Sequence, residues 1–160
     1  MSDLISDGKT RAAWLTSLAN IHAPTVAELN AGMDLTPRLT PDGLQTNPTT
    51  ADVDTGSLAS TTDTNEVGRV GYDNMLTCKR GTTPQEDAPY AVLVYGAHGF
   101  LVVRRGVPYA TAWAAGQQVE VYPSVCGERV NVAPAKNEVM KYQAPLKLTD
   151  QQDSNALVAA

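Results

Sequence analysis

The strongest constraint on the fold is a pair of strand-like segments separated by a segment without charge. Residues 99–105 (GFLVVRR) form a short apolar run that ends in two arginines. Residues 118–123 (QVEVYP) alternate polar and apolar side chains, which is the pattern of a strand with one buried face. The connector between them, residues 110–116 (ATAWAAG), consists of small residues around one tryptophan. This arrangement predicts a mainly β chain.

Further strand patterns are bounded by turn residues. They occupy residues 67–80, with a kink near Asp73 and Asn74, residues 117–132, with a break near Gly127, residues 139–149 and residues 157–158. Two short strands can flank a turn at residues 41–43. The sum is six or seven strands with one or two short helices. This predicts a β-sandwich or a flattened barrel.

One short segment is predicted to be helical, and two others have two alternatives each. Thr25 and Glu28 have the spacing of a capping box, and Gly32 follows where such a helix ends. Residues 88–95 fit a strand or a helix, and the helix is favoured because Asp87 and Gly96 flank it. Residues 1–22 carry a weak helical pattern, so they form a short helix or an arm that orders against a partner.

The segment from residue 34 to residue 65 is rich in Thr, Pro, Asp and Gly and poor in large apolar side chains. Pro41, Asp42 and Gly43 match a turn, because proline presets one dihedral angle and glycine accepts a positive φ. The remainder is too long for an idle loop in a compact domain, since loops beyond about 12–15 residues are usually functional or disordered. We therefore interpret residues 35–65 as a long extended loop or arm.

Composition and charge exclude several classes of protein. The 160 residues suffice for one domain, only 18% of them are charged, and the net charge is −5. The scattered Lys and Arg residues make no face that would bind phosphates. No apolar run is long enough for a membrane helix, and the polar N-terminus does not resemble a signal peptide, so we expect folding in a cytoplasm. Cys78 and Cys126 lack CxxC spacing, and in a cytoplasm we expect them to be buried reduced thiols rather than a disulfide.

The chemical inventory gives no candidate catalytic, cofactor or metal site. His22 and His98 have no partner His or Cys at metal-binding spacing. No serine lies in a nucleophile elbow, and no glycine-rich phosphate loop is present. The sequence therefore predicts a protein that is not an enzyme. Trp113 has two readings: it covers the core of its own subunit, or it anchors an interface, where tryptophan is common.

Several segments together resemble a known family. PTVAELNAG, LTPDGL, GFLVVRRGV, ATAWAAGQQVEVYP, CGE and ALVA occur in this order between residues 23 and 159. The combination resembles the major tail tube proteins of long-tailed phages of actinobacteria. The resemblance is most specific over residues 99–128. It implies a tail-tube β-sandwich domain over residues 23–160, including the long loop 35–65, whereas residues 1–22 remain an N-terminal arm or short helix to which the resemblance gives no role.

This resemblance implies a structural virion protein made in the host cytoplasm. Such proteins form rings, usually hexamers, that stack into a hollow tube around the tape measure protein and later conduct double-stranded DNA. Tail terminator and baseplate or tail-tip proteins are the further implied partners, with no cofactor and no membrane binding. Alternatives are another virion β-sandwich component, such as a tail terminator or a decoration protein, or a monomeric ligand-binding β-sandwich.

Two groups of residues are candidates for roles in such a tube. Small or turn residues would let neighbouring copies approach closely, and the candidates are Trp113, Pro41, Asp42, Gly43, Ala110, Ala114 and Gly116. A negative lumen would repel the DNA backbone and let it slide. The candidate lumen residues are Asp52, Asp54, Asp63, Glu66, Asp73 and Glu120.

Overall fold

The computed structural model describes residues 1–160, which form nine β-strands and two short α-helices. In chain order these are β1 (Thr10–Leu15), α1 (Val26–Ala31), β2 (Met33–Asp34), β3 (Leu39–Asp54), β4 (Asn65–Lys79), α2 (Ala88–Val92), β5 (His98–Arg105), β6 (Gln118–Cys126), β7 (Val130–Asn131), β8 (Lys141–Leu148) and β9 (Asp153–Leu157). The mainly β prediction is confirmed, with more strands than the expected six or seven. The surplus includes β1 and the two-residue strands β2 and β7.

All the strands belong to one antiparallel sheet that curls on itself. The order is β2-β1-β5-β6-β8-β4-β3, with β7 beside β8 and β9 beside β6. In a flat sheet β5 and β3 would lie about 19 Å apart, since neighbouring strands are separated by about 4.8 Å. Instead, Arg105 Nη2 on β5 lies 3.2 Å from Thr46 Oγ1 on β3. The sheet is therefore bent into a sandwich-like, flattened barrel.

The curled sheet carries a hydrophobic core on each face. The inner core lies inside the curl and takes side chains from five strands, among them Trp14, Leu76, Leu101, Tyr122 and Leu146. The outer core lies on the opposite face of β1, β5, β6 and β9, where α1 and the connector cover it. The outward faces of β3, β4 and β8 have no comparable cover.

The helical alternative for residues 1–22 is wrong, because residues 10–15 form strand β1 between β2 and β5. Ala12 and Trp14 point to the inner core, whereas Ala13 and Leu15 point to the outer core. A strand buried on both faces shows no polar–apolar alternation, so its sequence cannot be distinguished from a buried helix by period. The helical alternative for residues 1–22 failed for this reason.

The capping-box helix is confirmed as α1. Glu28 N donates to Thr25 Oγ1 at 3.2 Å, and Thr25 N donates to Glu28 Oε2 at 3.0 Å. Gly32 ends the helix, but in extended rather than left-handed geometry. Glycine is needed at this position because a Cβ there would lie only 2.9 Å from Leu15 Cδ1.

The second helix is also confirmed, although it is shorter than predicted. Asp87 precedes α2, and the helix ends at Leu93 instead of continuing to Gly96. Gly96 has a φ of +81° and turns the chain into β5.

The later strand predictions hold with small changes. β6 and β7 reproduce the break near Gly127, and β8 matches the predicted strand at residues 139–149. β9 lies earlier than the last predicted strand, residues 157–158, and shares only Leu157 with it. The kink expected near Asp73 and Asn74 does not interrupt the pairing, because β3 and β4 stay in register from Leu44 to Thr50. The pairing is irregular on either side of this stretch, between Leu39 and Leu44 and between Thr50 and Asp52.

Candidate assembly surfaces

A long β-hairpin replaces most of the predicted extended loop. β3 and β4 contain 16 and 15 residues, and only residues 55–64 connect them. The loop interpretation of residues 35–65 is therefore wrong for most of its length. Thr is frequent in this segment, and this β-branched residue suits a strand whether or not its faces are buried.

The predicted turn at Pro41, Asp42 and Gly43 is a bulge inside β3. Leu39 faces Cys78 and Leu44 faces Leu76, so residues 40–43 all lie opposite Thr77. Gly43 is required by close packing, since a Cβ there would lie 2.4 Å from the Thr77 carbonyl oxygen. β3 is an edge strand, where proline removes no ladder hydrogen bond. Turn residues therefore bend the edge without ending the strand.

The distal half of the hairpin has no cover from its own subunit. Every residue from Asn47 to Gly71 is exposed, except the half-buried Gly68. At about 3.3 Å per residue, the strands project about 25 Å beyond Thr46. A two-stranded ribbon exposed on both faces is marginally stable by itself. This part of the chain therefore has no hydrophobic core of its own.

The end of the hairpin is a defined structure, which we call the hairpin tip (residues 52–66). Gly56 N donates to Asp54 Oδ1 at 2.8 Å, and the hydroxyls of Thr55 and Thr64 lie 2.9 Å apart. Ser57 N donates to Ser60 Oγ at 2.8 Å. These local bonds hold Leu58 fully exposed at the extremity.

The six predicted lumen carboxylates do not lie together. Four belong to the hairpin tip, and they are Asp52, Asp54, Asp63 and Glu66. Asp73 lies nearer the body, 3.5 Å from Lys147 Nζ. Glu120 on β6 accepts from Arg105 Nε at 2.6 Å and from the Tyr122 hydroxyl at 2.9 Å.

The tip carboxylates are also divided between two faces of the ribbon. Asp52 and Asp54 are two residues apart on β3 and share one face. Glu66 lies opposite Val53 and therefore points to the other face. A single flat surface cannot present all three.

The connector is held from beneath by a buried arginine that sequence reasoning missed. Arg104 is fully buried, and its Nη2 donates to Pro108 O at 3.0 Å and to Thr111 O at 2.9 Å. Its Nη1 donates to Ala112 O at 3.3 Å and to Gln117 Oε1 at 3.1 Å. No carboxylate is paired with it. Burial, reinforced by repulsion from Arg11, lowers the pKa of Arg104.

Arg104 lies on the same face of β5 as Val102, beneath the connector, and an arginine in a buried strand followed by an uncharged segment is the sequence signal for this clamp. The connector has no acidic side chain, so its backbone carbonyls serve as the acceptors. Gln117 completes the arrangement, because its Oε1 also accepts from Ala114 N at 3.1 Å. The connector therefore has one defined conformation, although it consists mainly of small, uncharged residues.

Trp113 lies inside its own subunit, with 5% of its surface exposed. The guanidinium carbons of Arg104 and Arg11 lie 4.9 Å and 5.0 Å from its ring. This matches the core alternative for Trp113. Ala110, Ala114 and Gly116 are exposed around it, and they form an uncharged surface.

The other groups noted in the sequence have structural surroundings. Cys78 and Cys126 are free and buried, and burial raises the pKa of each thiol to about 11. His22 Nδ1 lies 2.6 Å from Asp153 Oδ2 at the surface. No group of three or more metal-ligating side chains is assembled. Neither helix is long and apolar enough to cross a membrane.

Comparison with known proteins agrees with this architecture. A chain of the anti-feeding prophage baseplate, solved by cryo-electron microscopy with 6-fold symmetrisation, has the same fold with a TM-score of 0.55. The match covers 96% of this chain and 98% of that chain at 10% sequence identity. No curated protein matches the sequence. The profile of a family described as phage tail tube protein matches residues 1–160. The chain therefore belongs to a phage tail tube protein family and is a structural component of a viral tail.

Proposed function

We propose that the protein polymerises as stacked hexameric rings into the tail tube of a long-tailed actinobacterial phage, through which DNA passes into the host. The observation that carries this proposal is the β3–β4 hairpin, which extends about 25 Å from the body with both faces exposed. A polymer of identical copies supplies the missing cover. The 6-fold symmetrised baseplate with the same fold supports the ring number.

Two features suit contacts between neighbouring copies. β3 is an edge strand with one unpaired side, and an uncovered edge pairs readily with another chain. The surface of Ala110, Ala114 and Gly116 can be buried without removing any charge from water. Trp113 contributes by holding this surface in shape and not by contacting a neighbour. Pro41, Asp42 and the buried Gly43 belong to the edge through the β3 bulge.

The acidic side chains suit a conduit for DNA. Asp52, Asp54, Asp63 and Glu66 give the hairpin a negative charge, and Asp73 and Glu120 lie nearer the body. A negative wall repels phosphates and prevents the polymer from adhering. Because the tip carboxylates occupy both ribbon faces, only part of the set faces the lumen in any one copy.

The tape measure protein, the tail terminator and the baseplate proteins are the proposed partners in the virion. A second candidate function is a baseplate or terminator component that forms a ring without elongating. The likeness to a baseplate chain favours this alternative over a monomeric ligand-binding protein.

Negative-stain electron microscopy of the purified chain at rising concentration separates these functions. Long tubes of uniform width support a tube protein, whereas isolated rings support a ring-forming tail component. A chain that remains monomeric at every concentration by size-exclusion chromatography contradicts both. Addition of free DNA to preformed tubes should give no retention, because the proposed lumen repels it.

A further inference from the structure

The exposed part of the hairpin, residues 47–73, which we call the ribbon, joins the body at a narrow root. β4 pairs with β8 only up to Asn74, which faces Leu146, so no other strand flanks the ribbon. β3 pairs only with β4, and its free edge has no backbone bond to β5 across the curl. The direction of the ribbon therefore depends on side chains at the level of Thr46 and Asn74, which face each other at the root.

Arg105 closes the curl at this level. Its Nη2 donates to Thr46 Oγ1 at 3.2 Å, which is the one hydrogen bond between β3 and β5. Its Nε donates to Glu120 Oε2 at 2.6 Å, and the Tyr122 hydroxyl donates to Glu120 Oε1 at 2.9 Å. We call Arg105, Glu120 and Thr46 the strap. Because the Arg105 side chain is 48% exposed, its ion pair contributes little free energy and can open.

The other attachments at the root are also made by side chains. On the inner face, the Tyr72 and Tyr122 rings lie 5.4 Å apart, and Gln152 Nε2 donates to the Tyr72 hydroxyl at 3.0 Å. On the outer face, Lys147 Nζ lies 3.5 Å from Asp73 Oδ1, and both side chains are exposed. The ribbon is thus fixed to the body by a few polar and aromatic contacts and by no backbone bond of its own.

A buried side chain at the root opposes this arrangement. Asn74 lies on the same face of β4 as Tyr72 and Leu76, which contact the inner core, and only 1% of its surface is exposed. Neither its Oδ1 nor its Nδ2 has a hydrogen-bond partner among the protein's own groups. A buried polar atom without a partner is destabilising relative to one that reaches water. A movement at the root that exposes Asn74 therefore removes this penalty.

The body leaves room for such a movement on both sides of the strap. Arg105 lines two open clefts, with volumes of about 350 and 230 Å³. The larger lies between residues 6–10 and the β3 bulge, and the smaller between β5, β6 and Ser154. Close-packed interiors leave few spaces of this size. The root can therefore shift without displacing core side chains.

We propose that the root is a two-position joint, in which the strap holds the ribbon in the observed position and the buried Asn74 amide favours a second position with the strap open. This inference goes beyond the proposed function, since it concerns how a free subunit aims its hairpin and not what covers the hairpin in a polymer. Opposed contributions at one joint keep both positions populated. A partner that binds one position meets it only in the corresponding fraction of subunits, so the joint sets the apparent affinity of assembly.

Single-molecule energy transfer between two dyes measures the position of the ribbon. The dyes are attached at Ala59→Cys on the hairpin tip and at Ala114→Cys on the connector, where both native residues are exposed. Cys78 and Cys126 are buried and do not compete for the dyes. Picomolar samples keep each subunit free of neighbours. The measured quantity is the ratio of the second position to the observed position.

The two sides of the joint should respond in opposite directions. Arg105→Gln should raise the ratio by up to about fivefold, because an exposed ion pair contributes no more than this. Asn74→Leu should lower it by about fivefold or more, because leucine has a similar size and no unpaired polar atom. In the double variant, Asn74→Leu should reverse the effect of Arg105→Gln. Asn74→Val is the smaller replacement if the leucine variant does not fold.

The matched control is Lys141→Gln. It removes an ion pair of comparable exposure, with Glu138 at 3.2 Å, and changes the net charge as Arg105→Gln does. Lys141 faces Lys79, five residues along β4 from the root, so the ratio should not change.

An unchanged ratio in Arg105→Gln would overturn the joint, and so would equal shifts in Arg105→Gln and Lys141→Gln. A double variant in which Asn74→Leu fails to reverse the shift would overturn it as well, because the amide would then be satisfied in the observed position, as by a bound water. These measurements use free subunits, so failure of the joint leaves the proposed function standing. If the chain forms no tubes, the joint can still be measured.

Discussion

At the scale of single residues, the main determinant of surface shape is a buried cation without a counter-ion. Removing a guanidinium from water costs several kcal/mol unless its donors are satisfied. Arg104 directs its two terminal nitrogens to two connector carbonyls, to the Pro108 carbonyl and to Gln117, and its guanidinium approaches Trp113. The connector therefore keeps one conformation although it consists of small residues.

Replacing Arg104 by Met should destabilise the subunit by about 2–3 kcal/mol, since buried carbonyls lose their donors. Arg105→Met provides the matched control, because Arg105 is half exposed and its pair with Glu120 contributes about 1 kcal/mol or less. Urea unfolding followed by circular dichroism measures both. Equal losses in the two variants would contradict the clamp.

At the scale of elements, α1 shows how a very short helix is stabilised. It has six residues, so its helix propensity alone is insufficient, and its stability comes from capping and from the burial of Leu29. The Thr25–Glu28 bonds satisfy two backbone donors that would otherwise be free.

Thr25→Ala should lower the free energy of unfolding by about 1 kcal/mol, because the capping acceptor is lost. Thr25→Ser keeps the hydroxyl and should change it little. The two variants are compared in thermal unfolding. An alanine variant as stable as the serine variant would show that the cap contributes nothing.

The second element with a testable role is the hairpin. Thr46 and Asn74 face each other across β3 and β4, so residues 47–73 can be replaced by Asn-Gly as a two-residue turn. We expect a folded monomer that is moderately less stable than the full chain, since Tyr72 is the removed side chain that packs against the inner core. Electron microscopy should find no tubes, and tubes from this variant would refute the role of the hairpin.

At the scale of the whole molecule, the subunit divides into a packed body and an uncovered extension. Amide exchange should report this division, because local opening is easiest where few apolar contacts hold the backbone. In free subunits, amides of residues 47–54 and 65–71 should exchange fast, while those of β5 and β6 exchange slowly. Polymerisation should slow the first group and leave the second unchanged. Protection that is the same in both states would show that the extension remains uncovered in the polymer.

Local pattern sufficed where turn or charged residues bound a strand clearly or a helix has its own cap. β5 was predictable from its short apolar run, β6 from alternation and α1 from the Thr25–Glu28 spacing, because those signals depend on neighbours within a few residues. The resemblance over residues 23–159 also indicated the tail tube family, which the profile match confirms.

Tertiary structure alone decided the rest. β1 is buried on both faces, so its pattern was ambiguous until β2 and β5 were placed beside it. β3 looked like a loop because nearly all its side chains are polar or small, and only pairing with β4 makes it a strand. Arg104 needed the connector folded over it before its role could be seen. For β1 and β3 the deciding contacts join residues far apart in the chain, and local sequence carries no information about such partners. For Arg104 the partners are near in sequence, but only the folded connector brings their carbonyls to its guanidinium.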